Sequence, residues 1–506
     1  MQIRGEIDLE DLVRVGRFRE RVELSGEAIK RMEASREIVE KTLKEGRAVY
    51  GVNTGFGALV NVRISGEELE ELQRNIVLSH SAGFGKPMPE EVVRGAIFLR
   101  AVSLSKGFSG VRPIVVEKLL ELINEDICPY VPEKGSVGAS GDLAPLAHVA
   151  AVLMGEGMIL SDGKPIRARD FLESKGFEPI VLKEKEGLAL VNGTQFMTSI
   201  AGFVVRDSMR LLKLATLIAA MSIDALLGST DPFRRELHEI RPHPGQMEIA
   251  RVLYESIEGS SIRESHRNCM RIQDAYTLRT VPQVYGAVLD TLSYAKSVIE
   301  REMNSVTDNP VVLPSGEIIS GGNFHGEPIA LVSDFVSIAL TDLGNMIERR
   351  IDKLLNPKVN EGLPPFLARG KEGLNSGYML FQYTAAAICN ENKILSHPAS
   401  SDTIPTSAYQ EDHVSMGMNA ARKSMRVLEN LIDLVSIEAL LASVALELRK
   451  PLETSRTLRK LKDEILSVVH HTDGDDFFWE DFMRVREIVE EKVKGDSGID
   501  GFDLQG

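Results

Sequence analysis

The chain's 506 residues, 43% of them hydrophobic, can bury a large core and exceed the usual size of one compact domain, so several domains or one elongated body is expected. Its 59 Lys and Arg against 74 Asp and Glu leave a formal charge of -15, which works against phosphate-backbone binding because that attraction needs clustered cations; nucleic acid is not an expected partner. The three cysteines, Cys128, Cys269 and Cys389, are far apart and odd in number, so they encode neither a disulfide framework nor a thiolate zinc site, and reduced thiols fit a cytoplasmic setting.

The first residues, MQIRGEIDLEDL, lack the basic-then-apolar order of a secretory signal and carry acids early, against an organellar transit peptide, so cytoplasmic localisation is expected. Glycine- and proline-rich connections follow at Tyr50 to Gly57 and Pro132 to Asp142, and two-residue alternation around Pro179 to Leu182 predicts a short strand. From Gly193 to about Gly228, Phe196, Ile200, Phe203, Val204 and Leu211 recur at helical spacing before apolar residues cover nearly all faces, which predicts a helix inside a bundle. Within it Leu214 to Leu227 tempts a membrane reading, but Lys213 precedes the stretch and Asp224 interrupts it well short of a bilayer span, so no membrane partner is expected. A polar connection, Asn304 to Gly326, carries a second alternation at Val311 to Ile319. A long helix then starts near Glu327 and ends at the basic pair Arg349-Arg350 and the stop at Asn356-Pro357. Beyond the loop Asn356 to Gly377, a third long helix spans roughly His413 to Arg449, and the charged end from Lys492 to Gly506 reads as frayed or solvent-facing.

Few strands and three long helices of similar length predict a mainly α class: an elongated bundle of long, roughly parallel helices with a smaller N-terminal loop-and-helix region. The expected division is residues 1–190 as that N-terminal region and 191–506 as the bundle with the C-terminal helices.

Gly135-Ser136-Val137-Gly138-Ala139-Ser140-Gly141-Asp142 is a run of small residues leading into an apolar helix near Leu143. One reading is a flexible loop whose Ser140 or Asp142 caps that helix. Small size permits another. If the Gly141 nitrogen attacks the Ala139 carbonyl, a five-membered ring closes, and loss of water from the ring and from the Ser140 side chain leaves an exocyclic methylidene. Alanine and glycine allow the tight backbone approach, and serine supplies the hydroxyl to be lost.

At these residues the sequence resembles the aromatic amino acid ammonia-lyases and aminomutases, whose prosthetic group is this methylidene-imidazolone. Six separated motifs match in family order: Tyr50-Gly51-Val52-Asn53-Thr54-Gly55-Phe56-Gly57, Gly138 to Pro145, Val191-Asn192-Gly193-Thr194-Gln195, Gln273-Asp274-Ala275-Tyr276-Thr277-Leu278-Arg279, Gly321-Gly322-Asn323-Phe324-His325 and Gln410-Glu411-Asp412-His413. Ser79-His80 stands at the family's selectivity pair and, with Glu411, resembles the histidine-specific branch. Tyr409 in place of Asn and Ala275 in place of Pro are small departures.

The resemblance implies elimination of ammonia from L-histidine to give urocanate, through a 4-methylidene-imidazole-5-one formed autocatalytically from Ala139, Ser140 and Gly141, with no metal. It implies Tyr50 as the base, whose phenol would need lowering from its ordinary value of about 10. Arg279 would hold the substrate carboxylate as a guanidinium fork, with Tyr276, three residues earlier, on the same helical face. His80 and Glu411 would read the imidazole, Phe324 would form a wall, and Asn192 and Gln273 would neighbour the electrophile. Taken alone, Asn192 could equally cap the helix after it, and Phe324 and Gln273 could be plain packing. His470-His471 lacks partners at metal-ligand spacing. The resemblance further implies a homotetramer with shared active sites. Rival readings are a tyrosine or phenylalanine ammonia-lyase or aminomutase of the same family; a fumarase-type lyase, whose Gly-Ser-Ser-x-Met-Pro loop is missing; and an inactive amino acid sensor, against which intact Ser140, Tyr50 and Arg279 speak.

Overall fold

The computed structural model describes residues 1–45, 53–54, 64, 68–267, 271–371, 373–470 and 472–496. Tyr50, Cys269, His471 and most of the Lys492 to Gly506 end lie outside the described residues. Among those described, the chain is mainly α, with nineteen α-helices and four two-stranded sheets. The three long helices legible in the sequence run Gln195–Ala225, Glu327–Leu355 and Gly417–Glu447. A fourth, Val281–Met303, was not singled out by its pattern. Val311–Val312 pairs antiparallel with Ile318–Ile319. The strand expected at Pro179 to Leu182 does not form: the Ile180 amide donates to the Leu153 carbonyl at a helix end, and no strand lies alongside.

Contacts group the chain into two compact units, each drawn from three separated segments. The first comprises Met1–Phe203, Lys296–Asp334 and Pro398–Arg422; the second comprises Val204–Ala295, Phe335–His397 and Lys423–Gly506.

The second unit is held by the long helices and a buried polar joint between them. The Arg350 guanidinium donates to both carboxylate oxygens of Glu438, at 2.6 and 2.9 Å, and to the Tyr285 hydroxyl, while the Ser222 hydroxyl donates to the same Glu438 at 2.7 Å. Four helices thus share one bidentate pair, and burial pushes the Tyr285 phenol up. The stretch Leu214 to Leu227 is buried as expected, and its one acid, Asp224, accepts from the hydroxyls of Ser260 and Thr454. Burial still lifts that carboxyl to about 6. By length and composition the helix Glu327–Leu355 could cross a membrane, and 67% of its apolar window is buried within the protein.

In the first unit, shorter helices surround the glycine-rich loops. The helix Glu90–Ser105 begins with two acids at its electropositive end and is buried without interruption from Val92 onward, so it forms the unit's centre. Helices Leu69–His80, Leu143–Leu153 and Glu186–Val191 pack around the cavity described next.

Candidate active site

The loop from Pro132 to Asp142 takes a positive-φ path at three glycines, Gly135, Gly138 and Gly141. Gly138 and Gly141 lie at φ 68° and 72°, in the left-handed region. A Cβ on Gly138 would overlap the Ser415 hydroxyl, and one on Gly141 would overlap the Gly193 carbonyl oxygen. The Asp142 amide donates to that same Gly193 oxygen at 2.7 Å, so two glycine-bearing loops lie backbone on backbone.

Neither polar end of the loop acts as the cap that spacing alone suggests. Asp142 precedes the helix Leu143–Leu153 but makes no side-chain bond to it. Its fully buried carboxylate accepts from the Ser136 hydroxyl at 2.7 Å and from the Met197 amide, in the first turn of Gln195–Ala225, at 2.9 Å. Burial raises its pKa to about 6, against the pull of those two donors. Asn192 likewise caps nothing: its Nδ2 donates to the Ser140 carbonyl oxygen at 2.8 Å, and its buried Oδ1 has no hydrogen-bond partner.

Ser140 is therefore held at both of its oxygens. Its hydroxyl donates to Glu411 Oε1 at 2.8 Å, and Glu411 Oε2 accepts from the Thr406 hydroxyl at 2.7 Å. Thr406 and Glu411 also pair through their backbones, which fixes the carboxylate's direction. Ala139, Ser140, Asn192, His80, Phe324 and Glu411 line one cavity of about 600 Å³, and all its lining residues belong to the first unit. His80 sits in the last turn of Leu69–His80 with Nδ1 3.1 Å from the Ser79 hydroxyl. Burial lowers its pKa, outweighing the Ile76 carbonyl and the charge of Glu411, which favours the neutral imidazole.

Among the lining residues given no role from the sequence are two histidines. His325 and His413 stack with ring centroids 5.7 Å apart and planes 4° from parallel. Both occur inside matched motifs, which was the available signal.

Three expected site residues belong to the second unit. There Tyr276 is 71% exposed, the Arg279 guanidinium lies 4.7 Å from its ring centroid, and Gln273 is exposed. Arg279 Nε donates to the Asp274 carbonyl at 3.1 Å. The shared face predicted by the three-residue spacing is thus present as one stacked patch. Tyr50 lies outside the described residues. Among the described residues no cluster of His, Cys, Asp and Glu could hold a metal ion.

Residues 7–467 match the aromatic amino acid lyase family. The chain is 45% identical over 486 residues to a histidine ammonia-lyase from Alkaliphilus metalliredigens, covering 96% of this chain and 95% of that relative. Among solved structures, histidine ammonia-lyase from Trypanosoma cruzi is similar with a TM-score of 0.88 at 38% identity, covering 97% of this chain and 94% of the other. Tyrosine aminomutase from Streptomyces globisporus gives 0.93 at 37% identity, with 98% and 97% covered.

Proposed function

This chain belongs to the aromatic amino acid lyase family, and we propose that it eliminates ammonia from L-histidine to give urocanate. The observation that carries the reading is the double hold on Ser140, carbonyl by Asn192 and hydroxyl by Glu411, in a cavity that also presents the imidazole of His80.

The residues present fit a methylidene-imidazolone derived from Ala139, Ser140 and Gly141. Gly141 admits a backbone contact with Gly193 that any Cβ would block, and Asn192 is aimed at the carbonyl that would belong to the ring. Such a group supplies an electron-poor carbon, which no ordinary side chain offers. The protein's own residues do the remainder. The Asn192 amide, nine-tenths or more buried, draws electron density onto the Ser140 carbonyl oxygen where water cannot compete. Glu411 can accept the ring N–H of an imidazole substrate, with His80 beside it as a second polar reader. Phe324 closes one side of the cavity. Tyr50 is proposed as the acceptor of the substrate's β-proton, on its motif.

The Arg279–Tyr276 patch suits a carboxylate, which a guanidinium fork binds through paired hydrogen bonds. We assign it to the cavity of another copy within a homotetramer. The helix Met379–Leu395 supports this: it is rich in apolar residues, yet Leu380, Tyr383 and Ile394 are 57, 61 and 68% exposed, a face suited to a second copy of the chain. Co-expressing Ser140→Ala with Arg279→Ala should then recover part of the activity that each variant lacks alone; no recovery would remove the shared site.

The decisive experiment incubates the protein separately with L-histidine, L-tyrosine and L-phenylalanine. Urocanate from histidine, with little product from the others, is expected. Turnover of tyrosine alone, or its conversion to the β-amino acid, would replace this reading by that of the aminomutases.

A further inference from the structure

We propose that Arg100, Gln195 and Thr307 form a clamp that presses Gly193 against Gly141 and so promotes closure of the Ala139-Ser140-Gly141 ring. The proposal rests on the prosthetic-group reading above and concerns positioning residues that touch no substrate.

Gly193 is enclosed on two sides. On one, its carbonyl oxygen occupies the space a Gly141 side chain would need and accepts from the Asp142 amide. On the other, a Cβ would meet Gln195 Oε1, Arg100 Nη1 and, at 2.7 Å, the Thr307 hydroxyl. Those three polar groups are bound to one another: Arg100 Nη1 donates to Gln195 Oε1 at 3.2 Å, and Gln195 Nε2 donates to the Thr307 hydroxyl at 2.8 Å. Arg100 Nη2 is anchored on the Ala189 carbonyl, three residues before Asn192. The clamp therefore joins the central helix, the first turn of Gln195–Ala225 and the loop ahead of Asp308, all buried.

The placement of charge is hard to explain as stabilisation alone. Arg100 stops 4.0 Å short of Asp308, whose close partner is Lys185 at 2.6 Å, and Arg100 Nε is left without a hydrogen bond. Burial pulls the guanidinium down to about 10, with Asp308 acting the other way, so it remains charged at neutral pH. Two cations and one anion without solvent are a costly way to fill a core that apolar side chains could fill as well. Turned toward Gly193, the same guanidinium holds a backbone in place.

Ring closure needs such a hold. The Gly141 nitrogen bonds to the Ala139 carbonyl carbon and its proton passes to that oxygen. The oxygen then leaves as water with the Ser140 N–H hydrogen, and the Ser140 hydroxyl leaves as a second water with the Cα hydrogen; no oxidant enters. An amide nitrogen is a poor nucleophile, so approach and orientation carry much of the rate.

The test follows maturation rather than turnover. Parent, Arg100→Gln, Thr307→Ala and Thr307→Ser chains are made by cell-free synthesis, and intact mass is sampled over time beside the near-ultraviolet absorbance of the ring and thermal unfolding. The parent should become lighter by two waters. Arg100→Gln and Thr307→Ala should do so about tenfold more slowly or incompletely, with Thr307→Ser restored toward the parent. If Arg100→Gln does not fold, Thr307→Ala decides alone. Folded variants that lose both waters at the parental rate overturn the clamp and leave the functional reading standing. A parent that loses no water overturns that reading, and the clamp with it.

Discussion

Each unit buries an arginine completely, and the two are used differently. Arg350 makes a bidentate pair with Glu438 and a further bond to Tyr285, so its charge is matched where it lies and four helices are tied to it. Arg100 stands off from its nearest carboxylate and spends its hydrogen bonds on Gln195 and the Ala189 carbonyl, beside a glycine. A charge paired bidentately with a carboxylate inside its cluster marks a structural joint; a charge whose bonds go to neutral acceptors beside a reactive loop marks a positioning device. On this comparison, damage in the second unit should appear as lost stability and damage around the first unit's loop as lost chemistry.

The largest effect falls on the loop. Ser140→Ala removes the hydroxyl that must leave, so turnover and the two-water mass deficit should both vanish, while the melting temperature moves by only a few degrees because Ser140 is half-buried and donates one bond. Retained activity in a purified preparation would end the assignment.

Next is the joint. Arg350→Met strands a buried Glu438 carboxylate and should cost about 3–5 kcal/mol in chemical unfolding, whereas Arg350→Met with Glu438→Leu should recover most of that loss. Protein that does fold should mature normally. Slow maturation in the folded double variant would erase the contrast between the two arginines.

Asp224 sharpens the contrast through pH. Its folded carboxyl titrates at about 6 against an ordinary 3.8, so the native state holds the proton longer than the unfolded chain. The stability from the neutral form is fully present below about pH 4 and is lost as pH rises through about 6, a change of about 3 kcal/mol. Asp224→Asn lacks this titration, and the Ser260 and Thr454 hydroxyls can turn to suit an amide. The variant should therefore gain on the parent by up to that amount between pH 4 and 7, measured by urea unfolding. A gap that does not change with pH would refute the buried ionisation.

The long helices were legible because an apolar stripe at helical period survives any tertiary context; Glu327–Leu355 ends where its basic pair and Asn356-Pro357 predicted. The helix expected from His413 begins instead at Gly417, since Glu411 to His413 line the cavity and Met416 turns through φ 54°. Pro179 to Leu182 alternates like a strand but has no neighbour to pair with, which no local pattern reveals. The reactive loop and its readers were legible through motif resemblance, and the alternative capping roles of Asp142 and Asn192 fell only once their partners were seen. Arg100 left one trace, a cation inside the apolar run VVRGAIFLRAVSLS. That it meets Gly193 is a long-range contact, as is the grouping of three segments into each unit.

The smallest effect concerns choice of substrate. Glu411 and His80 are the polar groups placed to read an imidazole, yet Glu411 also holds the Ser140 hydroxyl, so a single substitution there mixes recognition with the reactive loop. His80 contacts the Ser79 hydroxyl and the Ile76 carbonyl of its own helix rather than Ser140. His80→Leu should lower kcat/KM for histidine about tenfold to a hundredfold, the scale of one lost buried hydrogen bond, and leave any tyrosine turnover unchanged or raised. Adding Glu411→Gln should deepen the histidine loss and slow tyrosine as well, because the second change reaches the loop. Equal losses on both substrates for His80→Leu alone would mean that His80 supports the helix end without reading the ring.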